Sequence, residues 1–295
     1  MRADRTPRTR AADAFVTPPL RAITFDFGNT LVPVTRAALG AVVDALADAV
    51  VDRLGLDRVA FLAAWTEERH RQLNHDVPAF REMDIVVRLM RVLARLRGMA
   101  PPPADGAWDD AVAALLSDPA EIDWAVGMYS GAFVTGLPPD PAVGALLGRL
   151  ATRYRLAILS NWPLAATIDR YAEAAGWMRH LAAIVVSQRV GVIKPHPAIF
   201  RAAEAALAER ATDGDSDALA PSNGPLEPGS ILHVGDDPVA DVAGARAAGW
   251  RAALVRSRPP DSPLPGSAAN DPVDADLVLD RLADLESALE GLTRL

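Results

Sequence analysis

This sequence predicts an α/β protein built on a parallel sheet, with an all-helical insertion separating the first strand from the others. Three observations carry the prediction. A short apolar stretch, 22–27, is broken by Gly28 and Asn29. About a hundred residues of helical periodicity follow. Beyond about residue 137, short apolar strands alternate with helices, the pattern of a parallel sheet with helical crossovers.

Residues 22–27 read Ala-Ile-Thr-Phe-Asp-Phe, a buried strand. In the helical block Val42, Val43, Leu46, Val50 and Leu54 recur at three- and four-residue spacing. Ile85, Val86, Leu89, Val92, Leu93 and Leu96 do the same. Pro101-Pro102-Pro103 separates these from a further helical stretch at 108–116. After 136–139 (Gly-Leu-Pro-Pro) the expected order is helix 141–149, strand 155–160, helix 165–175 and strand 183–187. Helix 197–207, strand 231–234, helix 239–248, strand 252–255 and a final amphipathic helix over 280–292 complete it. Segments 211–230 and 256–274, rich in Asp, Ser, Pro and Gly, read as mobile surface loops. The expected domains are a disordered terminus (1–19), an α/β core (20–34 with 137–295) and a helical domain (35–136). An insertion at that point sits over the strand C-termini, where open α/β sheets bind ligands.

Composition narrows the function. The chain has 295 residues, half of them hydrophobic, and a net charge of −8. That charge argues against a nucleic-acid partner, whose binders present a basic face. With no cysteine, disulfides and thiolate metal sites are excluded. A cytoplasmic location is expected. No apolar run approaches the roughly 20 residues of a membrane span. Arg2, Arg5, Arg8 and Arg10 are not followed by an apolar segment, which argues against a signal peptide. Oligomeric state is not readable.

Of the 30 basic residues, one is lysine, Lys194. An exposed site would have accepted arginine, as the others did, so a compact ammonium is required where Lys194 stands. It lies in Gly191-Val192-Ile193-Lys194-Pro195-His196-Pro197, just before a helix. Three other strand ends carry polar groups. Asp26 closes the first strand, where burial of a carboxylate is costly unless it is used or paired. Ser160-Asn161 ends the second, where a hydroxyl and free N–H groups can hold an anion. Asp236 and Asp237 follow the strand at 231–234, with Asp241 in the next helical turn, a donor set suited to a hard cation. Singly, each has a plainer reading: a turn Asp, a helix N-cap, a solvated lysine, carboxylates at a helix N-terminus. Together they supply a nucleophile, an anion clamp, a charge neutraliser and a metal site.

This set resembles the haloacid dehalogenase-like (HAD) superfamily, from about residue 20 to the end. Asp26 with Thr30 resembles its first motif, Ser160 its second, Lys194 in Lys-Pro-x-Pro its third, and Gly235-Asp236 with Asp241 its fourth. The resemblance implies a Rossmann-like core with a C1-type helical cap. It implies that Asp26 attacks a small phosphorylated metabolite and forms an aspartyl phosphate. Thr30, Ser160 and Asn161 would hold the phosphoryl group, and Lys194 would balance its charge. Asp26, the Gly28 carbonyl and Asp236 would bind Mg2+, with Asp237 and Asp241 behind them.

The sequence departs from the family's phosphatases at Gly28, where they carry a second aspartate as general acid and base. Loss of such a group typically costs about 10²–10⁴-fold. The candidates to replace it are Glu67, Glu68, His70, His75 and Asp76 in the helical block, though each also reads as a solvated polar residue. The alternatives are a haloacid dehalogenase, whose halide leaves without a proton, and a non-hydrolytic binding protein. Dehalogenases of the family carry an aromatic at the position of Gly28 and lack the aspartate matched by Asp236. Arg69, His70, Arg71 and Arg81 offer no readable specificity code, and Trp162 is placed either beside the substrate or in packing.

Overall fold

The computed structural model describes residues 18–100, 117–209, 226–267 and 274–292. The helix expected over 108–116, the terminus through residue 17 and most of the 211–230 loop lie outside the described residues.

Six strands form one parallel sheet: β1 (Ala22–Phe25), β2 (Arg155–Ser160), β3 (Leu181–Val186), β4 (Ile231–Gly235), β5 (Arg251–Val255) and β6 (Leu277–Leu279). Their order is β3-β2-β1-β4-β5-β6. β1 is central, with Phe25 opposite Ile158 of β2 and Val234 of β4. All four of its residues are buried, as expected of a strand covered on both faces. The chain fills one side of β1 and then crosses to the other. That reversal opens a crevice at the C-terminal ends of β1 and β4.

Among the described residues four helices make up the insertion after β1: α1 (Arg36–Leu54), α2 (Arg58–His75), α3 (Ile85–Leu96) and α4 (Pro119–Gly136). Each begins at a side-chain cap, in turn Thr35, Asp57, Asp84 and Asp118, which accepts a first-turn N–H. Gly55, at φ 65°, ends α1 in the left-handed conformation that glycine adopts without strain. α1 packs on α4, and α2 on α3. The insert is fastened to the core by aromatic rings. Phe133 of α4 lies 5.2 Å from Trp162 and 6.2 Å from Phe27, which itself lies 5.2 Å from Tyr171. Each such pair contributes about 0.5–1.5 kcal/mol beyond the area it buries.

The crossovers α5 (Pro141–Ala151), α6 (Ala165–Ala174) and α7 (Pro197–Glu209) fall where the periodicity predicts them. Four boundaries differ. β3 starts two residues earlier, and Ser187 already opens a helical turn, Ser187–Val190. The expected 239–248 helix is a π-helical segment, Pro238–Ala243, continued by Gly244–Ala247. β6 was not predicted, being too short for a period to mark. The final helix is shorter, α8 (Leu285–Leu292), after a 3₁₀ turn at Leu282–Asp284.

Candidate active site

Four strand ends meet around one ammonium. Lys194 is buried, and its three N–H donors go to Asp26 Oδ1 (2.8 Å), Asp241 Oδ1 (2.6 Å) and the Leu159 carbonyl (2.8 Å). An ammonium has three donors and all are used. A planar guanidinium cannot converge on three acceptors in this way, which accounts for the lone lysine. Asn161 fixes the Lys194 backbone from both sides: Oδ1 accepts its N–H (2.6 Å) and Nδ2 donates to its carbonyl (3.0 Å). Ser160 Oγ donates to Asp26 Oδ1 at 2.9 Å.

Behind the lysine, Asp241 also accepts from the Asp237 N–H (2.8 Å) and from His233 Nε2 (3.1 Å). His233 Nδ1 lies 2.8 Å from the Thr24 hydroxyl. Burial and the nearby Lys194 ammonium hold His233 below its ordinary pKa, so it is neutral and Nε2 carries the proton. Gly235 allows the close approach of Asp241, since a Cβ there would stand 2.2 Å from its carboxylate. Asp237 caps the following turn, accepting from the Val239 and Ala240 N–H groups.

Asp26 borders a cavity of about 310 Å³ whose wall also includes Gly28, Asn161, Trp162, Lys194, Asp236, Asp237 and Asp241. Ser160 lies behind Asp26 rather than on this wall. Thr30 corrects the expectation of a substrate contact. Its hydroxyl is buried without a partner and is not on the wall. Trp162 is packed against Phe27 and Phe133 and also lines the cavity.

The substitutes expected for the missing acid are not on the wall. Glu68 is tied to Arg71, Arg91 and Arg95, Asp76 to Arg71 and Arg81, and Glu67 to Arg95. His70 and His75 are exposed. Glu82 lines the cavity instead. It is hydrogen-bonded to Ser187 Oγ and the Met83 N–H, and burial pushes its carboxyl upward.

The described part of the 256–274 loop is also unlike its prediction, because it is pinned across the site. Asn29 and Ser262 share hydrogen bonds, the Ser267 N–H donates to Asp237 Oδ2 (2.7 Å), and Arg69 donates to the Pro263 carbonyl (2.8 Å). Leu264 fills the space beside Gly28, where a Cβ would lie 2.6 Å from its Cδ1 and 3.0 Å from Trp162. Arg258 Nη1 pairs with Asp236 Oδ2 at 3.0 Å.

Residues 20–249 match the sequence profile of the haloacid dehalogenase-like hydrolases. The chain belongs to that family. No curated protein matches it. Among solved structures it is similar to a 2-haloacid dehalogenase from Pseudomonas syringae pv. Tomato DC3000, at 23% identity and a TM-score of 0.61, over 92% of this chain and 99% of that one. A HAD phosphatase from Thermococcus onnurineus is similar at 20% identity and a TM-score of 0.53, again over 92% and 99%. An L-2-haloacid dehalogenase from Xanthobacter autotrophicus with chloropropionic acid covalently bound is similar at 18% and 0.51, with the same coverage. Likeness at these identities concerns the fold.

The donor chemistry of this HAD site fits a divalent cation. Asp26, Asp236 and Asp241 each offer a ligand atom within 4.8 Å of the others. Asp241 is engaged through both oxygens, whereas Asp26 is hydrogen-bonded only through Oδ1 and Asp236 only through Oδ2. Among the described residues, Asp26 and Asp236 therefore each keep a carboxylate oxygen without a hydrogen-bond partner. Burial, reinforced by the other carboxylates, pushes Asp26 up to about 6 against the pull of Lys194. The same causes push Asp236 up to about 7 against Arg258. Asp241 goes the other way. Burial raises it, but Lys194 and His233 outweigh burial and hold it well below the usual carboxylate range. Lys194 is disfavoured by burial yet held above its ordinary value by Asp241 and Asp26. Two carboxylates short of positive charge, each with an open oxygen, are what a hard cation would satisfy.

Sequence reading missed Glu82, His233, Arg258, Arg88 and Tyr129. Arg88 left a trace: it falls among Ile85, Leu89 and Val92 on the buried face of α3, where a charge is out of place. Nothing in the local sequence marks Arg258, whose role depends on how its loop returns to the site.

Proposed function

We propose that this HAD hydrolase is a magnesium-dependent phosphatase for small phosphomonoesters, with Asp26 as nucleophile. The observation that carries the reading is the pair of open carboxylate oxygens on Asp26 and Asp236 beside a fully saturated Lys194. Asp26, Asp236 and the Gly28 carbonyl would hold Mg2+, which when bound offsets phosphate charge and draws both carboxylates to their ionised form.

The chain's own residues do the following. Ser160 and Lys194 hold and orient the Asp26 carboxylate through Oδ1, and one oxygen of that carboxylate attacks phosphorus while the other faces the cation. The P–O bond to the leaving group breaks and its electron pair passes to that oxygen, which takes up a proton. Water then attacks phosphorus and displaces the Asp26 carboxylate, releasing inorganic phosphate. Gly28 has no side chain to move these protons. Glu82 takes that task in this reading, as the cavity carboxyl outside the metal cluster that burial holds toward its protonated form.

The test is hydrolysis of an aryl phosphate, whose leaving group scarcely needs an acid, with and without Mg2+ and beside Asp26→Asn. Turnover that needs both the metal and Asp26 supports the reading. Equal inactivity of both proteins overturns it.

One observation favours a second reading, haloacid hydrolysis. Arg258 supplies a protein cation to Asp236, and a departing halide needs no proton. Chloride release from 2-chloropropionate without added metal would establish that reading over the first.

A further inference from the structure

The wall of the cavity opposite the lysine cluster carries a second set of charges. Arg69 of α2, Arg88 of α3 and Tyr129 of α4 all line it, beside the apolar Phe80, Met83 and Ile85. Arg88 is 4% exposed and Tyr129 3%. Among the described residues neither arginine has a carboxylate within ion-pair distance. Arg88 donates to Gln72 Oε1 at 2.8 Å and weakly to the Met83 carbonyl at 3.4 Å, with its guanidinium 4.7 Å above the Trp65 ring. Arg69 makes one hydrogen bond, to the Pro263 carbonyl. Other buried cations of the insert are paired: Arg91 holds Glu68, and so does Arg71. Buried charges are ordinarily paired. Arg88 and Arg69 face the cavity with no carboxylate in ion-pair contact among the described residues, Glu82 and Asp84 acting on Arg88 only at longer range, and with the Tyr129 phenol they form a receptor whose anion comes from outside the chain.

We infer that Arg69, Arg88 and Tyr129 bind a carboxylate at the far end of the substrate, so that the preferred substrate is a small phosphorylated carboxylic acid. The donors left over suffice for a carboxylate. Arg88 already commits two nitrogens and Arg69 one, leaving enough for a two-oxygen anion. The apolar residues between the two charged ends would take a short carbon skeleton, and a cavity of about 310 Å³ suits a metabolite of that size. The choice of phosphate at the Asp26 end rests on the proposed function; the carboxylate site does not.

The experiment measures binding of unreactive probes to the Mg2+-loaded protein by calorimetry: 3-phosphonopropionate, propylphosphonate and succinate. Phosphonopropionate is expected to bind about 10–100-fold more tightly than propylphosphonate, the effect of one charge-assisted contact set. Arg88→Met, Arg69→Gln and Tyr129→Phe are each expected to shrink that ratio toward one. Arg69→Gln and Tyr129→Phe keep the test open should Arg88→Met fail to fold. In turnover, the same variants should lower the preference for carboxyphenyl phosphate over phenyl phosphate through KM rather than kcat. A preference that survives all three substitutions, or no preference, overturns the inference. If no phosphonate binds but succinate does, and its binding weakens in Arg69→Gln, the phosphatase reading fails and the carboxylate site stands.

Discussion

The two walls of the cavity are built on opposite rules. On the core side the charges complete one another: Lys194 joins Asp26 to Asp241, His233 supports Asp241, and Arg258 covers one oxygen of Asp236. On the insert side Arg69 and Arg88 line the same space with no carboxylate in ion-pair contact among the described residues. The first wall is framed by the chain's own charges, with one oxygen each of Asp26 and Asp236 left for a cation. The second is finished by whatever enters. On the proposed reading, chemistry belongs to the core side and selection to the helices of the insert.

Removing the joint of the self-completing wall should do the most damage. Lys194→Met leaves Asp26 and Asp241 facing each other without a cation. We expect a loss of about 3–5 kcal/mol in denaturant unfolding and at least about 10²-fold in turnover. Lys194→Arg should restore little of either, since the fork cannot reach three converging acceptors. Full activity in Lys194→Arg would sink the geometric account of the lone lysine.

Glu82→Gln asks whether the insert side also supplies the proton. The expected loss is about 10²–10⁴-fold for alkyl phosphates and much less for aryl phosphates. Equal losses on both would make Glu82 a structural residue acting through Ser187 and Trp162.

Arg258→Ala frees an oxygen of Asp236. Mg2+ affinity, followed by calorimetry, should rise about tenfold if the guanidinium and the metal compete for one carboxylate. A fall would mean that Arg258 holds Asp236 in position for the metal.

The smallest effect concerns pH. Asp26 and Asp236 sit at about 6 and about 7 in the metal-free fold, above their unfolded value of about 3.9. Raised carboxyls stabilise the fold at low pH and lose that contribution as pH climbs through 6 and 7. Asp241 is shifted the opposite way, so its contribution is already complete above about pH 4. The melting temperature of the metal-free protein should therefore fall between about pH 4 and pH 7, and the increase produced by Mg2+ should grow as pH climbs through 6 and 7. A Mg2+ effect independent of pH would contradict the shared-carboxylate geometry.

Much of the core wall could be read from the chain alone, because Asp26, Ser160 and Asp236 end or directly follow short apolar strands and Lys194 is the lone lysine. Asp26, Ser160, Lys194 and Asp236 were found this way, and the structure brings them to one crevice. Thr30 was misplaced because a residue four positions along a tight turn can face either way, and here its hydroxyl faces inward. The insert wall was opaque. Its residues come from three helices, and helical periodicity says which face is buried but not which cavity that face borders. Glu67, Glu68 and Asp76 read as eligible until their arginine partners are seen, and Glu82 is passed over. The 256–267 segment carries the composition of a surface loop, and only its hydrogen bonds to Asn29, Asp236 and Asp237 reveal that it closes the site.

The claim on which the rest depends is that Asp26 accepts the phosphoryl group. It is tested by acid-quenching the Mg2+-loaded protein during turnover of an aryl phosphate, reducing with borohydride and sequencing the peptide by mass spectrometry. An acyl phosphate at Asp26 is reduced to homoserine, and the account predicts homoserine at position 26 and nowhere else. Steady turnover with position 26 still aspartate in every quenched sample would contradict it.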